Sequence, residues 1–229
     1  MLVVLINLTY SGVHGVPFVT IDTPQMPENT NNELETATFS MGWFWLPDAR
    51  FGQFKGIIRT RVGYGGGQKP DPTYDNIKDH SEAVQIDYDP EKISYNELLE
   101  IFKYNHNQFF GSSQRERSII FYQNEDQKQK AKAMLEKENK LNVEISPLDE
   151  FYIAENNHQK YYLQRNFELL ELLKQQYPDS NELIHSTAAA RLNAYEGVSS
   201  LTRKELLNRL DELNLDETVK KDLRTKLEE

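Results

Sequence analysis

The sequence predicts an α+β fold: a two-layer sandwich with helices mostly flanking one mixed sheet, followed by a C-terminal helical hairpin. Three observations predict it. Short alternating or β-branched runs recur at residues 37–41, 56–64, 81–87 and 117–122. Amphipathic segments with capping signals lie between them, joined by short crossovers. The 229-residue chain is 38% hydrophobic, with 12 Tyr and 11 Phe, which suffices for one full core plus appendages.

At the N-terminus, Met1-Leu-Val-Val-Leu-Ile-Asn-Leu-Thr-Tyr10 is apolar but too short to span a bilayer, and it lacks a basic region before the apolar run. Met26 opens a polar stretch leading into the first strand and is expected to be the true start, with residues 1–25 an upstream artefact or loose extension. Asn7-Leu-Thr9 has the spacing of a glycosylation acceptor, a tripeptide common by chance. Residues 37–41 alternate toward a buried strand, and the aromatic run after them opens a short helix to about Phe51. Gly56-Ile-Ile-Arg-Thr-Arg-Val-Gly-Tyr64 alternates charged with apolar residues, as a strand should. Gly65-Gly-Gly67 through Pro72 is a loop by composition, and Ala83, Val84 and Ile86 mark the third strand.

Ser94-Tyr-Asn-Glu97 is a capping box in front of Leu98, Leu99, Ile101 and Phe102. Residues 117–122 form a further strand, 124–139 a charged helix and 143–146 a short strand. Leu163, Phe167, Leu170 and Leu173 predict a long amphipathic helix from His158 to about Tyr177. Beyond Tyr195 the composition shifts. Thr202-Arg-Lys-Glu205 is a second capping box before Leu206, Leu207, Leu210 and Leu213, and Asp216 starts a helix with Val219, Leu223 and Leu227. The expected division is an N-terminal extension over 1–35, a main domain over 36–195 and a helical tail over 196–229. A tail packing its leucine stripe on its own domain is the favoured reading over a partner-binding module.

The net charge of −10 argues against nucleic-acid binding, which needs a basic face. Absence of cysteine removes disulfides, thiolate metal sites and thiol nucleophiles together, and leaves the redox compartment open. The Gly65–Gly67 run lacks the Lys-Ser/Thr ending of a phosphate loop. His80, His106 and His158 lack metal-ligand spacing, so no metal and no cofactor are expected. The remaining expectations are a monomeric cytoplasmic protein with no nucleic-acid or membrane partner.

The most informative segment is Ala37-Thr-Phe-Ser-Met-Gly-Trp-Phe-Trp-Leu-Pro-Asp48. It resembles the active-site opening of the peptide methionine sulfoxide reductase A family, a strand running into a helix N-terminus. Arg61-Val-Gly-Tyr-Gly-Gly with Lys69-Pro-Asp-Pro-Thr-Tyr74 resembles that family's glycine-rich strand end and Pro-Thr-Tyr. His80-Ser-Glu-Ala-Val84 resembles its His-x-Glu-Ala-Val, and Phe151-Tyr-Ile-Ala-Glu155 with His158-Gln-Lys-Tyr161 its late Ala-Glu-x-x-His-Gln signature. Ser186-Thr-Ala-Ala-Ala-Arg-Leu-Asn193 resembles a C-terminal segment of some members. Each motif is weak alone, but their shared order is specific, and the likeness covers residues 36–195.

The resemblance implies a ferredoxin-like central sheet and assigns roles. Phe44 and Trp45 would cradle the substrate's S-methyl group. A thiolate at the helix N-terminus would attack sulfur, Glu82 would protonate the sulfoxide oxygen and Tyr74 would hydrogen-bond it. The sulfenic acid so formed would be resolved by a second thiol and then thioredoxin. This chain departs at the first requirement: the nucleophile position is Trp43, and no other cysteine exists. Leu46-Pro47-Asp48 replaces the family's Gly-x-Glu. Glu116 stands at the second oxygen-binding tyrosine, Gly111 at an upstream aspartate, Asn157 at the tyrosine of the late signature, and the loop after His106 is shorter than the family pattern.

The expected function is therefore a reductase-like protein that is catalytically silent and retains a site for free methionine sulfoxide or peptides carrying it; thioredoxin is not expected to act on a chain without cysteine. Trp43 reads either as an aromatic platform in the old methyl pocket or as plain pocket filling by a buried indole. Glu82 and Tyr74 read either as a surviving oxygen site or as a hydrogen-bonded structural pair. The alternative is an active reductase whose position 43 is really cysteine or selenocysteine, the latter being encoded by UGA. An unrelated hydrolase using Asp48, Glu82 and Glu116 has no supporting spacing.

Overall fold

The computed structural model describes residues 34–106, 113–138 and 141–229, together with the backbone of a two-stranded antiparallel ribbon, β1 (Leu8–Thr9) and β2 (Phe18–Val19). The expectations about a start at Met26 and about Gly111 lie outside the described residues. The main body runs β3 (Glu35–Met41), α1 (Trp45–Gly52), β4 (Ile57–Gly65), β5 (Ser81–Tyr88), α2 (Tyr95–Asn105) and β6 (Ser118–Tyr122). It continues with α3 (Glu125–Lys137), β7 (Glu144–Pro147) and β8 (Phe151–Ile153).

These strands form one six-stranded sheet in the order β7-β6-β3-β5-β4-β8, parallel between β6 and β7 and antiparallel elsewhere. The central four strands with α1 and α2 are a βαββαβ unit, so the mixed, ferredoxin-like α+β expectation holds. Register explains the core. Ile120, Phe39, Val84 and Val62 face one another across β6, β3, β5 and β4, and all four are fully buried. One residue away the row is polar on β3, β5 and β4, where Thr38, Gln85 and Arg61 are joined by side-chain hydrogen bonds, and ends in the buried Phe121 on β6. A period of two sends the apolar row to the helices and the polar row to the other face.

On that polar face Asp87 accepts from Thr36, Arg59 and Arg61. Burial pushes its carboxyl up, but the three donors outweigh burial and hold it below the ordinary aspartate range. Its stabilisation is therefore present above the unfolded-state value of about 3.9 and lost as pH falls through the lower folded value. Asp87→Asn is expected to flatten the acid limb of stability below about pH 4, read from urea midpoints against pH. An acid limb identical to that of the parent chain would overturn this account.

Both capping boxes form: Ser94 with Glu97 opens α2, and Thr202 with Glu205 opens α7 (Arg203–Asn208). The long helix expected from His158 to Tyr177 does not. Only α4 (Phe167–Gln176) is helical there, after short 3-10 turns at Asn156–His158 and Leu163–Arg165. The cause is local. Lys160 has φ 49°, which no right-handed helix accommodates, and Gln159 and Lys160 spend their side chains on β4.

After α5 (Ser180–Ile184), α6 (Thr187–Gly197) is buried on nearly all sides. Gly52 of α1 allows the close approach to α6, since a Cβ there would lie 2.4 Å from the Ala190 carbonyl oxygen. Arg191, fully buried, donates to the carbonyls of Gly52, Phe54 and Ile57 and so satisfies the end of α1. Burial lowers its guanidinium to about 9. The leucine stripe of α7 and α8 (Glu217–Glu228) packs back on the body. Leu206, Leu210, Val219, Leu223 and Leu227 share one apolar cluster with Leu163, Leu169, Leu173 and Leu192.

Candidate functional site

Gly42, with φ 86°, turns β3 into α1 and presents three consecutive aromatic residues in different directions. Phe44 points inward and is 1% exposed, whereas Trp43 is 56% exposed. The reading of Trp43 as a buried filler is thus corrected. A turn that sends Phe44 into the core aims its neighbour outward, and the indole is held there by a polar partner. Its Nε1–H donates to Glu116 Oε1 at 2.6 Å.

Around Phe44 and Trp45 the structure gathers rings from three separate segments. Tyr74 stacks on both, with centroids at 6.1 Å and 5.8 Å. Tyr161 stacks on Trp45 at 4.4 Å, and His158 on Tyr74 at 4.1 Å. Trp43 meets Trp45 edge-on at 6.5 Å. The sequence placed Trp43, Phe44, Trp45 and Tyr74 in one site, and the geometry brings them together. Tyr161 and His158 belong to the same wall. Their late signature was legible, yet only their stacking reveals the role.

Glu82, on β5, is 1% exposed directly beneath Phe44. Its Oε2 accepts from the Phe44 N–H at 3.1 Å and its Oε1 from Arg115 Nη1 at 2.9 Å. Burial raises its carboxyl above the ordinary range, while the Phe44 N–H and Arg115 pull it back. With a donor on each oxygen and no acceptor to receive a proton, the geometry is that of a carboxylate.

Glu82 and Tyr74 are not a directly bonded pair. Arg115 connects them, donating to the Tyr74 carbonyl and lying over the Tyr74 ring at 4.7 Å. Sequence reasoning missed Arg115, which carries no motif signal. Burial and the nearby Glu82 raise the Tyr74 phenol. Glu155 steadies the wall from behind, accepting from the Tyr64 hydroxyl at 2.7 Å and the Tyr74 N–H at 3.0 Å.

Chemically, the arrangement has a broad aromatic wall, a carboxylate already neutralised by an arginine, and a second carboxylate, Glu116, at the rim. It has no group able to attack sulfur. Among the described residues no cluster of His, Asp and Glu could hold a metal ion, and no helix is long and apolar enough to cross a membrane.

Comparison with known proteins agrees with this geometry. The model of the family described as peptide methionine sulfoxide reductase matches residues 35–189. The chain is 40% identical over 193 residues to peptide methionine sulfoxide reductase A5 of Oryza sativa subsp. japonica, covering 78% of this chain and 75% of the relative. It is 40% identical to the Drosophila melanogaster peptide methionine sulfoxide reductase, over 73% of this chain and 70% of that protein. Among solved structures, methionine sulfoxide reductase A of Corynebacterium diphtheriae superposes with a TM-score of 0.54 at 26% identity, covering 58% of this chain and 76% of that one. Reduced Mxr1 of Saccharomyces cerevisiae superposes with a TM-score of 0.54 at 26% identity, over 61% and 90% of the two chains. The match spans the strand-to-helix turn, the Glu82 strand and the late histidine signature, and on that extent the chain belongs to the peptide methionine sulfoxide reductase A family, as a member with no cysteine.

Proposed function

We propose that the chain is a non-reducing member of its family, a pseudoenzyme that keeps the aromatic wall as a binding site for methionine-type side chains, free or in peptides. The observation that carries the reading is the Trp43–Glu116 hydrogen bond. The nucleophile position is not merely empty of sulfur but is tied to the residue standing at an oxygen-binding tyrosine. Reducing a sulfoxide requires an electron pair from a thiol or selenol, and an indole whose N–H is spent on a carboxylate supplies none. The wall, by contrast, still suits a methyl thioether: several aromatic faces lie within stacking distance of Phe44 and Trp45.

An active reductase with selenocysteine at position 43 is disfavoured, because Glu116 owes nothing to that codon and its contact with the indole is specific. Oxidative protein repair, the role of the reductase chemistry, would then reach this chain only as binding.

Turnover and binding are tested together. The purified chain with excess dithiothreitol and N-acetylmethionine sulfoxide amide is expected to form no methionine above a no-protein control. Trp43 and Trp45 are the only tryptophans in the chain, so intrinsic fluorescence reports this site. A saturable change on adding the methionine or methionine sulfoxide amide is expected. Catalytic formation of methionine would end the silent reading, and a flat fluorescence titration with both amides would end the binding reading.

A further inference from the structure

We infer that a cavity on the polar face of β4 binds a monocarboxylate with an apolar body, held by Arg59 and Arg61. An irregularity in the strand creates it. Ile57 belongs to the core cluster, and a regular strand would send Arg59 to that same side. The register shift between Ile57 and Arg59 instead turns Arg59 to the other face, opposite Asp87, and Arg61 follows it two residues later. Val62 and Tyr64 pack with Phe44, so this cavity and the aromatic wall lie on opposite faces of the sheet. The cavity holds about 510 Å³, with Phe151 and Ile153 contributed by β8, and Glu182 and His185 by α5 and the residue after it. Gly63, next in the arginine row, makes room for the ring: a Cβ there would lie 2.5 Å from Phe151 Cζ.

Two guanidiniums share one carboxylate here. Asp87 accepts from Thr36 Oγ1, Arg59 Nε and both Nη groups of Arg61, four donors that fill its two oxygens. Gln85 takes the Arg61 Nε–H. Nothing among the described residues accepts from the two Nη groups of Arg59, whose side chain is 39% exposed. They form a planar fork matched to the two oxygens of a carboxylate. Burial lowers the His185 imidazole, and Arg61, Arg59 and Lys160 are the charges that lower it further. Lys160 is itself paired with Asp48, so the arginines supply the positive potential at this corner. Glu182 is exposed at the rim and pairs with neither arginine among the described residues, which leaves it screened by solvent. The surplus over Asp87 is one charge, which suits a monoanion better than a phosphate. Phe151 and the 54%-exposed Ile153 offer apolar surface to the rest of the molecule. Such an acid arrives either as a free small molecule or as the terminal carboxylate of a peptide.

The test is a calorimetric titration of the full chain at constant ionic strength. The probes are 3-phenylpropionate, its neutral amide, acetate, inorganic phosphate, and acetyl-Gly-Gly-Phe with a free or amidated C-terminus. Phenylpropionate is expected to bind about tenfold tighter than its amide and than acetate. Arg59→Gln is expected to abolish the preference for acid over amide. Glu182→Gln, which removes the opposing charge from the rim, is expected to tighten acid binding about threefold. Binding of phenylpropionate without the free-acid peptide would identify small acids as the ligand; binding of both would include chain termini. Equal binding of acid and amide, phosphate binding tighter than phenylpropionate, weaker acid binding in Glu182→Gln, or no heat with any acid would each overturn the assignment. Should Arg59→Gln unfold the chain by taking a donor from Asp87, the acid–amide and Glu182→Gln comparisons decide alone.

Discussion

A Trp43→Cys variant is expected to reduce methionine sulfoxide only slowly, and a Trp43→Cys/Glu116→Tyr variant about 100-fold faster. The single variant restores sulfur to the N-terminus of α1, where the positive end of the helix favours a thiolate. It also strips Glu116 of the indole donor it now holds at 2.6 Å. The freed carboxylate would sit beside the new thiol and raise its pKa, and it would repel the oxygen that the reaction must bind. Replacing Glu116 by tyrosine removes that charge and supplies a hydroxyl donor in the same step.

The pH profile of the double variant should be bell-shaped. The thiolate fraction rises with pH, whereas Glu82 must be protonated to act as an acid and is lost as pH rises through its burial-raised pKa. Steady-state rates with dithiothreitol and alkylation rates against pH check both points. Equal rates in the single and double variants would show that Glu116 is no part of the block, and would leave the Arg115 hold on Glu82 as its cause.

Much of this site was legible before any coordinates, for a physical reason. Trp43, Phe44, Trp45, Glu82 and Tyr74 lie in runs whose spacing reflects one strand, one turn and one loop, and such runs survive as motifs. Arg115 was illegible because its importance depends on where a loop from a distant part of the chain crosses Tyr74 and Glu82. Similarly, the capping boxes at Ser94 and Thr202 are local hydrogen-bond patterns and could be read directly.

The false helix at 158–166 obeyed the right apolar spacing, but that spacing says nothing of demands elsewhere. Gln159 bonds both the N–H and the carbonyl of Val62 on β4, and helical backbone could not deliver it there. β8 was missed because three residues carry no periodicity. α6 was missed because its neighbours cover nearly every face, leaving no amphipathic stripe to see. The exposure of Trp43 followed from Gly42 and Glu116 together, one a turn and the other a contact 73 residues away.

Asp48→Asn is expected to destabilise the chain by about 3–5 kcal/mol, the cost of leaving a buried charge without its partner. Asp48 stands where the family carries glutamate and is fully buried, and Lys160 is 1% exposed. Lys160 Nζ lies 3.0 Å from Asp48 Oδ1 and 2.5 Å from the Thr60 carbonyl oxygen, while Asn193 Nδ2 donates to Asp48 Oδ2 at 3.1 Å. Burial pushes the Lys160 ammonium down, and Asp48 is the group that pulls it back. With asparagine at 48 that pull is gone, so the lysine must either stay charged and unpaired or give up its proton.

Asp48→Asn/Lys160→Met is expected to be less destabilised than the sum of the two single variants, because the second substitution removes the stranded charge along with its stem. Urea unfolding of the three variants measures this directly; additive losses, or an Asp48→Asn loss below about 1 kcal/mol, would overturn it. The consequence extends to the site. This network ties the first turn of α1 to β4, to the segment carrying His158 and Tyr161, and to α6. Loosening it should therefore also blunt the fluorescence response of Trp43 and Trp45 to any ligand of the aromatic wall.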